Sequence, residues 1–63
     1  MTQKELLYLE DAVKHECNII KICEDSLEKL DDEKLVTFLK KEIKKHESMK
    51  CELIDMLEVK CNE

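Results

Sequence analysis

Glu16, Glu42 and His46 are the residues of this 63-residue chain whose types and spacing could do chemistry. Each of them interrupts a stripe of apolar residues that a helix would bury. Carboxylates and imidazoles bind Fe, Mn and Zn, so their convergence in a helical interior predicts a metal site. The same groups could instead form a hydrogen-bonded Glu–His layer that fixes the register of packed helices, at some cost in stability. A third interpretation is a solvated groove in which these side chains remain hydrated.

The composition of the chain indicates one small all-α domain. It contains no glycine, proline or tryptophan, and 43% of its residues are charged. Leucine, isoleucine, glutamate, lysine and aspartate dominate, which favours long helices. A formal charge of −5 argues against a general nucleic-acid binder. The first residues are polar and no apolar run is long enough for a membrane span, so we expect a cytoplasmic protein without a signal peptide.

The first apolar stripe predicts a long helix from about residue 3 to about residue 30. Thr2 and Glu5 fit a capping box at its start. The stripe then advances in steps of three and four through Leu6, Leu9, Val13, Glu16, Ile20, Cys23, Leu27 and Leu30. Five further residues widen it on one flank: Ala12, Ile19, Tyr8, His15 and Ile22. A stripe of this width suits a helix with two neighbours.

A second stripe predicts a helix from about residue 33 to about residue 60. Its members are Leu35, Leu39, Glu42, His46, Met49, Leu53 and Met56, widened by Val36, Ile43 and Leu57. In one continuous helix, the register of the first stripe would instead place Lys34, Lys41 and Ser48 on the seam. The register change, roughly 100° around a helix, therefore predicts a turn at about 31–32, with Asp31 or Asp32 as the N-cap of the second helix.

A single antiparallel hairpin would leave much of both stripes in water. Two copies would form a four-helix bundle, and two-fold dimers are the commonest assembly. A turn near residue 31 places Glu16 opposite His46, with Glu42 one turn away. A dimer would then hold four carboxylates and two imidazoles, the ligand inventory of the di-iron and di-manganese carboxylate bundles. Those sites space Glu and His three residues apart, whereas the spacing of four found here rotates the imidazole by roughly 100°.

The four cysteines are not placed for intrachain disulfides or for a zinc module. Cys17, Cys23, Cys51 and Cys61 form no opposed pair in the hairpin register and show no C-x-x-C spacing. Cys23 falls on the seam, whereas Cys51 and Cys61 should be exposed. Nothing in the sequence supplies an oxyanion hole for a Cys17–His46 pair, so we assign no catalytic residue and do not expect an enzyme.

Several segments resemble a known family. Residues 7–12 (LYLEDA), His15-Glu16, residues 30–35 (LDDEKL) and Lys45-His46 resemble the small clostridial and bacillar spore coat proteins of the coat protein F type. The resemblance implies a ferritin-like four-helix bundle with a role in the protein layer around spores. Members often carry a second histidine where this chain has Met49, and a proline after the loop aspartate where this chain has Glu33.

We therefore predict a structural or interaction protein that assembles as a homodimer, with other coat proteins as further partners. Two alternatives remain open. One is a metal-binding ferritin-like bundle that uses Glu16, Glu42 and His46 as ligands. The other is a helical adaptor whose apolar stripes receive the helices of a partner.

Overall fold

The computed structural model is an antiparallel hairpin of two long helices. It describes the backbone of residues 1–61 and the side chains of residues 1–58. Helix α1 spans Gln3–Leu27 and helix α2 spans Glu33–Cys61. No strand occurs in residues 1–61. The all-α hairpin predicted from the register change is confirmed, and the single continuous helix is excluded.

Helix α1 begins with the predicted capping box. The Thr2 hydroxyl accepts a hydrogen bond from the Glu5 backbone N–H at 3.1 Å, and the Glu5 carboxylate accepts one from the Thr2 N–H at 2.9 Å. These bonds satisfy donors that the first turn of a helix leaves without an intrahelical partner. The position at which α1 begins is thus set by two side chains three residues apart.

The connection between the helices is longer than predicted, because α1 ends at Leu27 rather than near residue 30. Residues 28–32 reverse the chain, and Leu30 stays half-buried within this connection. The apolar spacing predicts a helix as far as Leu30 because Leu30 is half-buried. A residue in a connecting loop can be half-buried as well, so the spacing does not locate the end of α1. Asp32, not Asp31, caps α2: its side-chain oxygen accepts from the N–H groups of Lys34 at 2.8 Å and Leu35 at 3.2 Å.

The stripe predicted on α1 faces α2. All eight of its members are buried or half-buried: Leu6, Leu9, Val13, Glu16, Ile20, Cys23, Leu27 and Leu30. Among the described side chains, Glu16 and Ile20 are the most buried, with 8% of each residue exposed, and none is completely buried. The hairpin therefore has a contact seam but no dry core of its own.

The stripe predicted on α2 is wrong for three residues. The spacing predicts Leu35, Met49 and Met56 on the seam, yet they are 49%, 39% and 51% exposed. Within residues 33–58, the half-buried residues of α2 are Val36, Leu39, Glu42, Ile43, His46, Lys50, Leu53, Ile54 and Leu57. Two columns of apolar residues, one residue apart, share the members Leu39, His46 and Leu53. Periodicity alone does not decide which of the two columns packs against α1.

The hairpin is a thin rod. Its extents are 47 × 15 × 11 Å and its radius of gyration is 14.6 Å, whereas a compact domain of this length would have roughly 10–11 Å. Within the described residues, no helix combines the length and the apolar character needed to cross a membrane.

Candidate functional site

The three predicted residues meet in one layer at the middle of the hairpin. The Nδ1 atom of His46 lies 2.5 Å from Oε2 of Glu16, across the two helices. Its Nε2 atom lies 3.6 Å from Oε2 of Glu42, one turn earlier on α2. The side chains of Glu16, His46 and Glu42 are 11%, 18% and 30% exposed. The predicted opposition of Glu16 and His46 is confirmed.

The two helices position this layer in different ways. Glu16 stands on the seam of α1 and is as buried as Ile20, one turn further along the helix. His46 and Glu42 stand four residues apart on α2, a spacing that keeps both on one face. The hairpin turn determines which residue of α2 lies opposite Glu16. The layer therefore depends on the length of the connection as well as on the three side chains.

The imidazole of His46 lies between two carboxylates. A neutral imidazole carries one N–H and donates to one of them, whereas an imidazolium donates from both ring nitrogens. The contact with Glu16 is a hydrogen bond, and the 3.6 Å contact with Glu42 is an ion-pair distance that is too long for one. No buried nitrogen or oxygen among the described side chains lacks a hydrogen-bond partner. The carboxylate of Glu16 is thus buried with its compensating partner.

Within one chain, the described side chains do not build a metal site. No group of three or more His, Cys, Asp or Glu residues among them is placed to hold a metal ion. Glu16 occupies Nδ1 of His46, which leaves Nε2 and the Glu42 carboxylate as two ligands where a zinc ion takes four. The metal prediction for Glu16, Glu42 and His46 concerned a two-fold dimer, and it stays a prediction.

Cys17, Cys23 and Cys51 are free thiols. Cys23 is half-buried on the seam, and Cys17 and Cys51 are exposed. The prediction that Cys51 is exposed is confirmed. The predicted exposure of Cys61 lies outside the described side chains.

A second surface, which the sequence had indicated only as a widened stripe, covers one long side of the hairpin. We call it the apolar side and define it by five exposed residues: Tyr8 and Ile22 of α1, and Leu35, Met49 and Met56 of α2. On α1, Tyr8 and Ile22 directly precede the seam residues Leu9 and Cys23. On α2, the three members directly precede half-buried residues of the seam.

The geometry of an antiparallel pair puts both halves of the apolar side on the same side of the hairpin. A step of one residue towards the N-terminus turns roughly 100° in a fixed sense about each helix. Because the helices run in opposite directions, these two rotations end on the same side of the pair. The half-buried residues Ala12 and Ile19 belong to the same column of α1, and Glu42 to that of α2.

The opposite side of the hairpin is mainly polar. It is formed by exposed residues that directly follow seam residues: Leu7, Glu10, Lys14, Cys17, Lys21 and Glu24 on α1, and Thr37, Lys40, Lys44, Glu47 and Cys51 on α2. The hairpin therefore has one long side that is rich in exposed apolar residues and one on which only Leu7 is a large apolar residue among the described side chains.

No protein-family model, no curated protein and no solved structure matches this chain. The function is therefore argued from two features of the hairpin itself, the mid-hairpin layer and the apolar side. The resemblance to the coat protein F type stays a prediction that rests on the sequence segments alone.

Proposed function

We propose that this chain is a structural interaction protein that works as a homodimer, in which two hairpins pack through their apolar sides into a four-helix bundle. The observation that carries this proposal is the apolar side. Met49 and Met56 on α2 and Tyr8 and Ile22 on α1 are 39% to 64% exposed in a hairpin without a dry core. Association is one of the ways in which so small a chain completes its core.

The surface that the hairpin exposes in excess of a compact monomer is about the area that one partner would cover. The hairpin has an accessible surface of 5236 Å². A compact monomer of 7.5 kDa would expose about 4,250 Å² by the scaling found for folded monomers. The excess of about 1,000 Å² is close to the ~800 Å² that each partner contributes to an interface of standard size.

The shape of the apolar side favours a second copy over a single partner helix. It is two helices wide, which is the width of another hairpin. The polar character of the opposite side limits this mode of packing to one face, so assembly stops at a closed dimer. An adaptor that receives the helices of another protein would instead remain monomeric when it is purified alone.

A place in the protein layer of a spore is part of the proposal. It is supported by the resemblance of residues 7–12 and of His15-Glu16 to the coat protein F type. In a dimer, the polar side of each hairpin faces outwards, with the exposed thiols of Cys17 and Cys51 and a mixture of both charges. Contacts with other coat proteins would use this outward surface.

The test is a comparison of two neighbouring substitutions. Met49→Glu places a charge in the centre of the apolar side, whereas Ser48→Glu adds the same charge at the adjacent exposed position, roughly 100° away. Sedimentation equilibrium should show a dimer for the original chain and for Ser48→Glu, and a monomer for Met49→Glu. Equal masses for the two variants would contradict pairing through the apolar side.

Metal binding is the second candidate, and one observation favours it. Glu16 holds Nδ1 of His46 and leaves Nε2 directed towards Glu42, and a carboxylate on the distal ring nitrogen is the usual support of a metal-ligating histidine. A second copy at the same level would supply another His46 and Glu42. Added Fe(II), Mn(II) or Zn(II) should then raise the melting temperature of the original chain but not of Glu42→Gln. Equal shifts, or none, would contradict this candidate.

A further inference from the structure

The charge along α2 changes sign at its middle. Residues 33–46 contain five lysines and two glutamates, whereas residues 47–58 contain three glutamates, one aspartate and one lysine. The described part of the helix is thus net positive in its first half and net negative in its second. A helix with this gradient is complementary to another copy of itself that runs in the opposite direction.

Two arrangements of the dimer bury both apolar sides. If the two turns lie at the same end of the bundle, α2 packs beside α1 of the second copy. If the turns lie at opposite ends, α2 packs antiparallel to α2 of the second copy. Both arrangements place neighbouring helices antiparallel, so the apolar stripes alone do not choose between them.

From this gradient we propose that the two hairpins pack with their turns at opposite ends, α2 against α2, so that Lys45 of each copy pairs with Glu52 of the other. This inference rests on the proposed homodimer and adds its orientation. Lys45 and Glu52 are both exposed, lie seven residues apart in one column of α2 and border the apolar side. A two-fold axis between residues 48 and 49 brings them together twice.

The same axis fits the apolar residues. It places Met49 next to Met49 of the second copy, at the centre of the interface. In the hairpin register set by Glu16 and His46, this level lies between Ala12 and His15 on α1. The axis places Ala12 of each copy opposite His15 of the other, and the small side chain of Ala12 leaves room for the imidazole where the two α1 helices cross. Since the axis lies near the middle of α2, the hairpins overlap along most of their 47 Å length.

The turns-apart arrangement also separates the two polar layers. With the axis between residues 48 and 49, the His46 residues of the two copies lie about 7.5 Å apart along the bundle, at 1.5 Å per residue. The turns-together arrangement places both layers at one level, as a shared metal site requires. The proposed orientation and a metal ion shared between the two layers therefore exclude each other.

A distance between the two turns tests the orientation directly. In a variant with all four cysteines replaced by serine or alanine, Lys29→Cys in the connection carries a nitroxide label, and pulsed electron resonance gives the label separation. The proposed dimer predicts about 50 Å, because residue 32 lies 16 to 17 residues from the axis and each contributes 1.5 Å. Turns at the same end predict about 20 Å, because only two helix widths of 8–10 Å separate them.

The outcomes are distinguishable. A dimer with a separation near 50 Å supports the orientation. A dimer with a separation near 20 Å overturns it and leaves the homodimer intact. A monomeric mass for the unlabelled original chain would overturn both the homodimer and its orientation.

Charge reversal provides a second measurement that needs no label. Lys45→Glu alone and Glu52→Lys alone should each raise the dimer dissociation constant about ten-fold, because each creates two like-charged contacts per dimer. The combination Lys45→Glu/Glu52→Lys should restore the original value. Failure of the double variant to recover would overturn the pairing. Lys44→Glu, the same charge reversal on the polar side, is the matched control and should leave the dissociation constant unchanged.

Discussion

The mid-hairpin layer makes a prediction about stability that separates a hydrogen-bonded Glu–His layer from a solvated groove. His46→Leu removes the partner of the Glu16 carboxylate, which is buried to 8% exposure. A hydrogen bond to a charged group contributes about 1.5–3 kcal/mol, and a buried charge left without its partner adds to that loss. The side chain of Glu42 is 30% exposed, so water reaches the layer and we expect the lower part of this range, about 2 kcal/mol per hairpin.

The double replacement Glu16→Leu/His46→Leu should behave differently. It removes both polar groups and fills the seam with apolar side chains, a change that is often neutral or stabilising in proteins. The double variant should therefore be more stable than His46→Leu by about 1–3 kcal/mol. If the layer also fixes register, this variant should show a mixture of assemblies by native mass spectrometry.

The assay is a double-mutant cycle in which circular dichroism monitors urea denaturation. All variants are measured at one protein concentration, because the stability of a dimer depends on concentration. Lys14→Leu is the matched control, since Lys14 is exposed on the polar side of the hairpin, two residues from Glu16. The reasoning would be refuted if the substitutions at Glu16 and His46 changed the free energy of unfolding additively and by less than about 0.5 kcal/mol each, the range of ordinary surface substitutions. Such a result would identify the site as a solvated groove whose side chains never lose their water.

Two further predictions concern single side chains. Asp32→Ala should lower the free energy of unfolding, measured by urea denaturation, by about 1 kcal/mol because it removes the N-cap of α2. Asp31→Ala should change it little. Equal losses for the two variants would contradict the assignment of Asp32 as the cap. Cys17 and Cys51 should react with a thiol reagent in the folded protein well before Cys23, which lies half-buried on the seam; mass spectrometry of the modified peptides checks the order, and equal rates for the three thiols would contradict it.

The sequence was sufficient for the seam of α1 and for the meeting of Glu16 with His46. Both depend on helical periodicity and on one change of register at the two aspartates. Periodicity is a pattern of many residues, so one polar residue on the stripe does not hide it. The turn then determines which residue of α2 lies opposite Glu16. Because that register is set by counting from the turn, it survived an error of three residues in where α1 ends.

The sequence was not sufficient to predict which side of α2 faces α1. Val36 and Leu35 begin two columns of similar apolar character, and both columns include His46. In the hairpin, Val36, Ile43 and Leu57 pack against α1, whereas Leu35, Met49 and Met56 are exposed. The choice depends on how the helices pack in three dimensions and, in our proposal, on the second copy that covers the other column.

The central claim is that the apolar side of one hairpin covers that of another, and the mass of the unmodified chain in solution tests it most directly. Sedimentation equilibrium over a range of micromolar concentrations should give twice the 7.5 kDa of the chain. A mass of 7.5 kDa at every concentration, with the helices intact by circular dichroism, would contradict the account.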